Sequence, residues 1–156
     1  MLFRSFRAKN ALTRAALGGD TPTGTSSASE VSEEELDRVL NERWAKGGLL
    51  FLGGFNDSMV NKVSNDRIAT WVRNKISSLV RDPNTARLLQ PDTVIGCKRL
   101  VVDSGYYDTF NRPNVDLVDV STTPIERFTG KGIVVGGSEY EVDIVVLATE
   151  IGRAHV

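Results

Sequence analysis

Apolar positions follow two different periods along this chain, and the change between them predicts its organisation. From Ser32 to Gly47, apolar residues recur at Leu36, Val39, Leu40 and Trp44, the spacing of one face of an amphipathic helix. Ser32-x-x-Glu35 ahead of them reads as a capping box, in which a hydroxyl and a carboxylate satisfy backbone amides at the helix start, and Gly47 stops the run. A second helix is marked by Ile68, Trp71, Val72, Ile76, Leu79 and Val80, with Arg67, Arg73 and Lys75 on its surface side. Asp82-Pro83 ends it and caps a short successor through Leu89, because proline suits a first helical position. Between the two long helices, Leu49 to Phe55 is apolar but broken by Gly53 and Gly54, and is expected to be a buried loop or turn. Trp71, on the apolar face, is expected in the core.

From Val94 onward the period shortens. Leu100 to Val102, Val115 to Val120, Ile125 to Thr129, Ile133 to Val135 and Tyr140 to Ala148 are strand candidates, with turns at Gly130-Lys131-Gly132 and Gly136-Gly137. The last run is nearly all apolar, as in a parallel strand covered on both faces. Such a strand requires neighbours, and this chain supplies few, so the sheet is expected to be incomplete. Helices first and strands later give an α/β content without a self-contained doubly wound sheet. Gly18 to Ser29 reads as a loop with nothing to bury.

Composition narrows the function classes. At 156 residues, 40% hydrophobic and 25% charged, the chain has the make-up of a globular protein, and its net charge of −1 offers no basic excess for nucleic acid. The longest apolar run, Ile144 to Ala148, is far short of the ~20 residues of a spanning helix, so no membrane partner is expected. The lone cysteine, Cys97, allows no internal disulfide and no CxxC metal site, and fits a reducing, cytoplasmic location. Beside an apolar run it is expected to be packed. A single histidine, His155, leaves no basis for a Ser-His-Asp apparatus or a histidine-rich metal site, so no metal is expected. Asp103 and Asp108 make no convincing acid pair. Arg4, Arg7, Lys9 and Arg14 precede the first acid, Asp20, a pattern shared with mitochondrial presequences.

The most informative wording is G-C-K-R-L-V-V-D-S-G-Y-Y-D-T-F-N-R-P-N-V, from Gly96 to Val115. Two adjacent cations, Lys98 and Arg99, stand before an apolar triplet, then a turn, then Tyr106, Tyr107 and Phe110. Taken alone, the cations read as the solvated start of a strand. The aromatics either line a ligand pocket or pack as a helical turn on the sheet. Together with R-W-A-K-G-G (Arg43 to Gly48), W-V-R-N-K-I…V-R-D-P-N-T-A (Trp71 to Ala86), P-N-V-D-L-V-D-V (Pro113 to Val120), P-I-E-R (Pro124 to Arg127) and V-D-I-V-V-L-A-T (Val142 to Thr149), this wording resembles the Baeyer–Villiger monooxygenases of the cyclohexanone monooxygenase type.

That resemblance implies a fold, cofactors and site residues. The fold is a fragment of a flavoprotein with two dinucleotide-binding domains: residues 1–31 a basic internal helix plus flexible loop, 32–93 the helical part of the NADP domain, and 94–149 the active-site segment and β-rich return to the FAD domain. The implied cofactors are FAD and NADP(H), and the implied substrates a small ketone and O2, one oxygen of which is inserted beside the carbonyl. Negative charge developing there calls for a permanent cation, and the resemblance assigns that part to Arg99. It assigns Lys98 to NADP, at the 2′-phosphate end, and Ala148 and Thr149 to backbone close to the flavin.

The chain departs from the family pattern at Thr93-Val94, where Tyr-Pro is usual. It also lacks the G-x-G-x-x-G phosphate loops and the F-x-G-x-x-x-H-x-x-x-W fingerprint. By itself it is therefore expected neither to retain FAD nor to turn over, the missing N- and C-terminal parts of the same chain being its natural partners. Residues 150–156, E-I-G-R-A-H-V, back-translate as GAG ATC GGA AGA GCA CAC GTC, which after its first base begins a common sequencing adaptor, so this segment is expected to be an artefact. Two rival readings stand beside the Baeyer–Villiger one: a non-enzymatic small α/β binding module, and another NADPH- and flavin-dependent monooxygenase, such as an N-hydroxylating one.

Overall fold

The computed structural model describes residues 23–98, 100 and 105–148, with the backbone alone for residues 48–50. The basic N-terminal stretch, the strand candidate at Val101 and Val102, Arg99, Asp103, Thr149, His155 and the whole 150–156 segment lie outside the described residues. The chain divides into two compact units, Met1–Asp116 and Leu117–Val156.

The first unit is helical. Helix α1 (Glu33–Lys46) starts at the predicted Ser32 cap, whose hydroxyl accepts from the Glu35 amide at 3.2 Å. The Glu35 carboxylate, expected to complete a capping box, instead accepts from the Arg38 guanidinium at 2.6 and 2.7 Å. It ends at Gly47, whose φ of 71° is open to glycine and whose N–H bonds back to the Arg43 and Trp44 carbonyls. The apolar stretch that follows is a 3-10 helix, η1 (Gly48–Gly54), and not the loop or turn expected. Helix α2 (Lys62–Leu79) is capped by the Asn61 side chain, which accepts from the Val63 amide at 3.0 Å. Helix α3 (Pro83–Leu89) begins at the Asp82-Pro83 cap, with the Asp82 carboxylate accepting from the Thr85 amide at 2.7 Å.

Two apolar clusters hold these elements. Ala28, Leu36, Leu40, Phe55 and Ile68 form one, with Trp71, Phe51 and Ile95 against it. Trp71 lies against the rings of Trp44 and Phe51, and its indole N–H donates to Asp37 at 2.8 Å, so its place is structural, as expected. Ile76, Val80 and Ala86 form the second cluster, covered by Tyr107 of the short helix α4 (Tyr106–Thr109) and by Phe110, its C-cap.

Loop 23–31 is not the empty connection its composition suggested. Ala28 is fully buried, and the Asp57 carboxylate accepts hydrogen bonds from the Ser27 hydroxyl (2.6 Å), the Ala28 amide (3.0 Å), the Ser64 hydroxyl (2.6 Å) and the Asn61 carboxamide (2.9 Å). Arg67, expected on the surface, crosses to this loop, bonding the Ala28 and Val31 carbonyls and pairing with Glu33 at 2.6 Å. Gly24 lies so close to η1 that a Cβ there would stand 2.1 Å from the Gly54 oxygen. Small and polar residues bury this loop by hydrogen bonding to the backbone, which hydrophobic patterning does not register.

The second unit is a three-stranded antiparallel sheet in the order β1 (Ile125–Phe128), β2 (Gly132–Val135), β3 (Ser138–Glu141). A bulge separates Ile125 from Arg127, and Gly136 and Gly137, at φ 57° and 76°, make the two-residue turn that joins β2 to β3. Two strand candidates fail here. Val115 to Val120 has no ladder partner and is irregular. Tyr140 to Ala148 is a strand only as far as Glu141: β2 is four residues long, its first residue Gly132 pairs with Glu141, and one more bond, Val142 N–H to Lys131 O at 3.0 Å, ends the pairing. No helix among the described residues is long and apolar enough to cross a membrane.

Candidate functional site

The segment carrying the two cations is reached through a turn whose geometry is set from α2. Asn65, on the same face as Ile68, Ala69 and Ile76, is buried (4% exposed). Its carboxamide N–H groups donate to the Ile95 carbonyl at 2.9 Å and the Ser58 carbonyl at 2.8 Å, and its oxygen accepts from the Ile95 amide at 3.1 Å. Beyond Ile95 the chain turns at Gly96, whose φ of 93° puts it in the left-handed region. A Cβ at that position would meet only the flexible end of the exposed Met59 side chain, so it is the positive φ that calls for glycine. The turn closes with the Cys97 amide donating to the Val94 carbonyl at 3.1 Å.

Lys98 leaves this turn exposed to solvent. Arg99, assigned the catalytic charge, lies outside the described residues, as does Thr149. Ala148 is exposed and belongs to no helix or strand. Cys97 is exposed rather than packed, because the turn carries it outward ahead of any strand that might have covered it. Asp108 lies in α4, and no group of three or more His, Cys, Asp or Glu residues arranged to hold a metal occurs among the described residues.

The aromatic part of the signature is explained by packing. Tyr107 stacks on Trp44 (centroids 6.3 Å apart) and, with Phe110, covers the second apolar cluster, so the aromatics form a helical turn packed on helices of the first unit. Asn111 ties the following turn to the end of α2: its carboxamide donates to the Leu79 carbonyl at 2.7 Å and accepts from the Arg81 amide at 2.8 Å.

Sequence reasoning missed Asn65 and Asp57. The signal at Asn65 was an amide on the apolar stripe of a helix, a position that needs a buried polar partner. At Asp57, partial burial pushes the carboxyl up, but hydrogen bonds from Ser27, Ser64, Ala28 and Asn61 outweigh it and hold the group at about 2, below its ordinary 3.8. No histidine or second acid accompanies it among the described residues, so the network is a latch for loop 23–31 and has no reactive part.

Comparisons with known proteins bear on the whole segment. The chain is 39% identical over 125 residues to a Baeyer–Villiger monooxygenase of Pseudooceanicola batsensis, spanning 78% of this chain and 23% of that protein. Among solved structures, a cyclohexanone monooxygenase variant from Rhodococcus sp. Phi1 bound to NADP+ superposes with a TM-score of 0.82 at 37% identity, covering 89% of this chain and 27% of that one. The chain is a homologue of the Baeyer–Villiger monooxygenases. It spans about a quarter of the length of the relatives it matches. A phenazine N-monooxygenase of Lysobacter antibioticus is similar to the same degree, 40% identical over 126 residues, 79% of this chain and 23% of that protein. No protein-family model matches the chain.

The fold agrees with this homology: helices followed by a small sheet match a fragment of a cyclohexanone monooxygenase-like flavoprotein.

Proposed function

We propose that this chain forms part of an FAD- and NADPH-dependent Baeyer–Villiger monooxygenase, in which one oxygen atom of O2 is inserted beside a ketone carbonyl to give an ester or lactone. The observation that carries this reading is the agreement in sequence and fold with a cyclohexanone monooxygenase over the stretch that holds the Lys98-Arg99 wording. A cytoplasmic location goes with it. When bound, NADPH supplies the reducing equivalents and FAD the oxygen activation.

The chain's own residues have more limited tasks. Lys98 projects from a turn held by hydrogen bonds and is exposed, which suits an ammonium meeting the 2′-phosphate of NADP. The exposed, unladdered backbone at Ala148, with Thr149 next to it, suits a contact through main-chain groups to the flavin. Arg99 is the permanent cation opposite the negative charge that develops as the carbonyl is attacked. Its guanidinium stays protonated across the working pH range and presents several donors in one plane.

Arg99→Ala in the complete enzyme tests this. Lactone or ester formation should fall by roughly 10²- to 10³-fold, the loss typical of removing one donor to a developing oxyanion, while NADPH oxidation persists. Product formation near the wild-type rate would remove Arg99 from the mechanism.

The similarity to a phenazine N-monooxygenase supports a second reading, oxygenation at nitrogen. Offering the complete enzyme a cyclic ketone and an aromatic N-heterocycle side by side, with product analysis by mass spectrometry, separates the two.

A further inference from the structure

We propose that Asn65 is a positioning residue for Lys98, its buried carboxamide setting where the Lys98 ammonium meets the 2′-phosphate of a dinucleotide. The inference rests on the reading of Lys98 as a nucleotide contact and adds the part of the fold that directs it.

The carboxamide uses both donors and its acceptor. It pairs with the C=O and the N–H of the same residue, Ile95, as an adjacent strand would, and anchors to the Ser58 carbonyl besides. A donor and an acceptor matched to one residue fix register: sliding the segment by one position would oppose like groups and leave the buried amide unsatisfied. Ile95 is also held by its side chain against the first apolar cluster. Gly96 then turns with a φ of 93°, in the left-handed region, and the Cys97 amide closes on Val94. The path from Ile95 to Lys98 is therefore short and constrained. Lys98, by contrast, is exposed, and it makes no hydrogen bond or ion pair to a described residue. A long flexible side chain gains phosphate affinity only when its base is placed, and the placement originates at Asn65.

The test measures binding rather than turnover. Dissociation constants for NADP+ and NAD+ are determined by calorimetry on the complete, flavin-loaded enzyme, and their ratio reports the 2′-phosphate contact. Lys98→Met should reduce the preference for NADP+ by roughly 10- to 100-fold, the range of a charge-assisted hydrogen bond. Asn65→Ala should reduce it by roughly 3- to 10-fold, as expected when that bond is misplaced without being removed. In the Lys98→Met background, Asn65→Ala should change the ratio no further.

Asn65→Asp has the same size, keeps the acceptor toward the Ile95 amide and loses both donors. It should shift the ratio in the same direction. Equal weakening of NADP+ and NAD+ by the Asn65 variants would overturn the proposal. So would a ratio change that persists undiminished in the Lys98→Met background. Failure of both Asn65 variants to accumulate as flavin-loaded protein would count for a purely structural role and against positioning. An unchanged ratio in Lys98→Met alone would instead refute the reading of Lys98.

Discussion

Asp57 contributes to stability in a way that depends on pH with a definite sign. Its folded value of about 2 lies below the ordinary 3.8, so the folded state binds this proton less readily than the unfolded chain. The associated stability is therefore fully present above about pH 4 and is lost as pH falls toward 2, amounting to about 2 kcal/mol. Asp57→Asn removes the charge and leaves a carboxamide that cannot accept from Ser27, Ala28, Ser64 and Asn61 together. At pH 7 it should lower unfolding stability by about 2 kcal/mol, and the gap to wild type should narrow as pH is lowered through 4 toward 2. Both tryptophans, Trp44 and Trp71, pack in the unit that holds Asp57, so fluorescence-detected urea unfolding follows it directly. Equal midpoints at pH 7, or a gap that does not narrow in acid, would show that the hydrogen bonds to Asp57 do not hold the loop. Neither Asp57 nor Asn65 was legible from the sequence. Their partners are backbone groups and hydroxyls about 30 residues away in the chain for Ala28 and Ile95, and spacing rules carry only local information. Lys98 was singled out only because its neighbourhood repeats a family's wording.

Elements whose cause is local were read correctly from sequence, and so were the strands begun at Ile125 and Ile133, whereas two runs that lack a partner were misread as strands. The Ser32 cap, the Gly47 stop, the Asp82-Pro83 start and the Gly136-Gly137 turn each depend on a few adjacent residues, and each stands where expected. Val115 to Val120 has the right residues for a strand but no partner, and Tyr140 to Ala148 stops being a strand where β2 ends. Gly132 controls that pairing. A Cβ there would lie 1.9 Å from the Tyr140 carbonyl oxygen, a backbone atom that cannot move aside without separating β2 from β3. Gly132→Ala should therefore destabilise the hairpin by about 1–3 kcal/mol. Hydrogen exchange would show it as lost amide protection at Ile133 and Tyr140, the next hydrogen-bonded pair along the two strands from Lys131 and Val142. Unchanged protection there would mean that the strands adjust and that the close approach is not a requirement.

For the whole molecule, the question is what the second unit leaves uncovered. Its buried hydrophobic residues are Val134 and Val135, whereas Ile144, Val146 and Leu147 are 79%, 79% and 71% exposed. Each such side chain gains about 1.5–3 kcal/mol when fully buried, so three within four residues are a strong drive toward any apolar surface that will cover them. Their backbone has no ladder partner and adds unpaired donors and acceptors to the same stretch. The chain matches about a quarter of the length of its homologues, and the nearly continuous apolar run is of the kind that lies inside a sheet with both faces covered. This chain by itself should accordingly bind an apolar-surface dye and self-associate as its concentration rises. Ile144→Lys with Val146→Lys, two positions on one side of an extended strand, should weaken both effects without altering the helical signal in far-ultraviolet circular dichroism. Sedimentation at several concentrations, read beside the dye signal, checks it. A wild-type chain that stays monomeric and dark to the dye would mean that the run is covered from within the chain, and that the second unit is a complete fold despite the short pairing of β2 with β3.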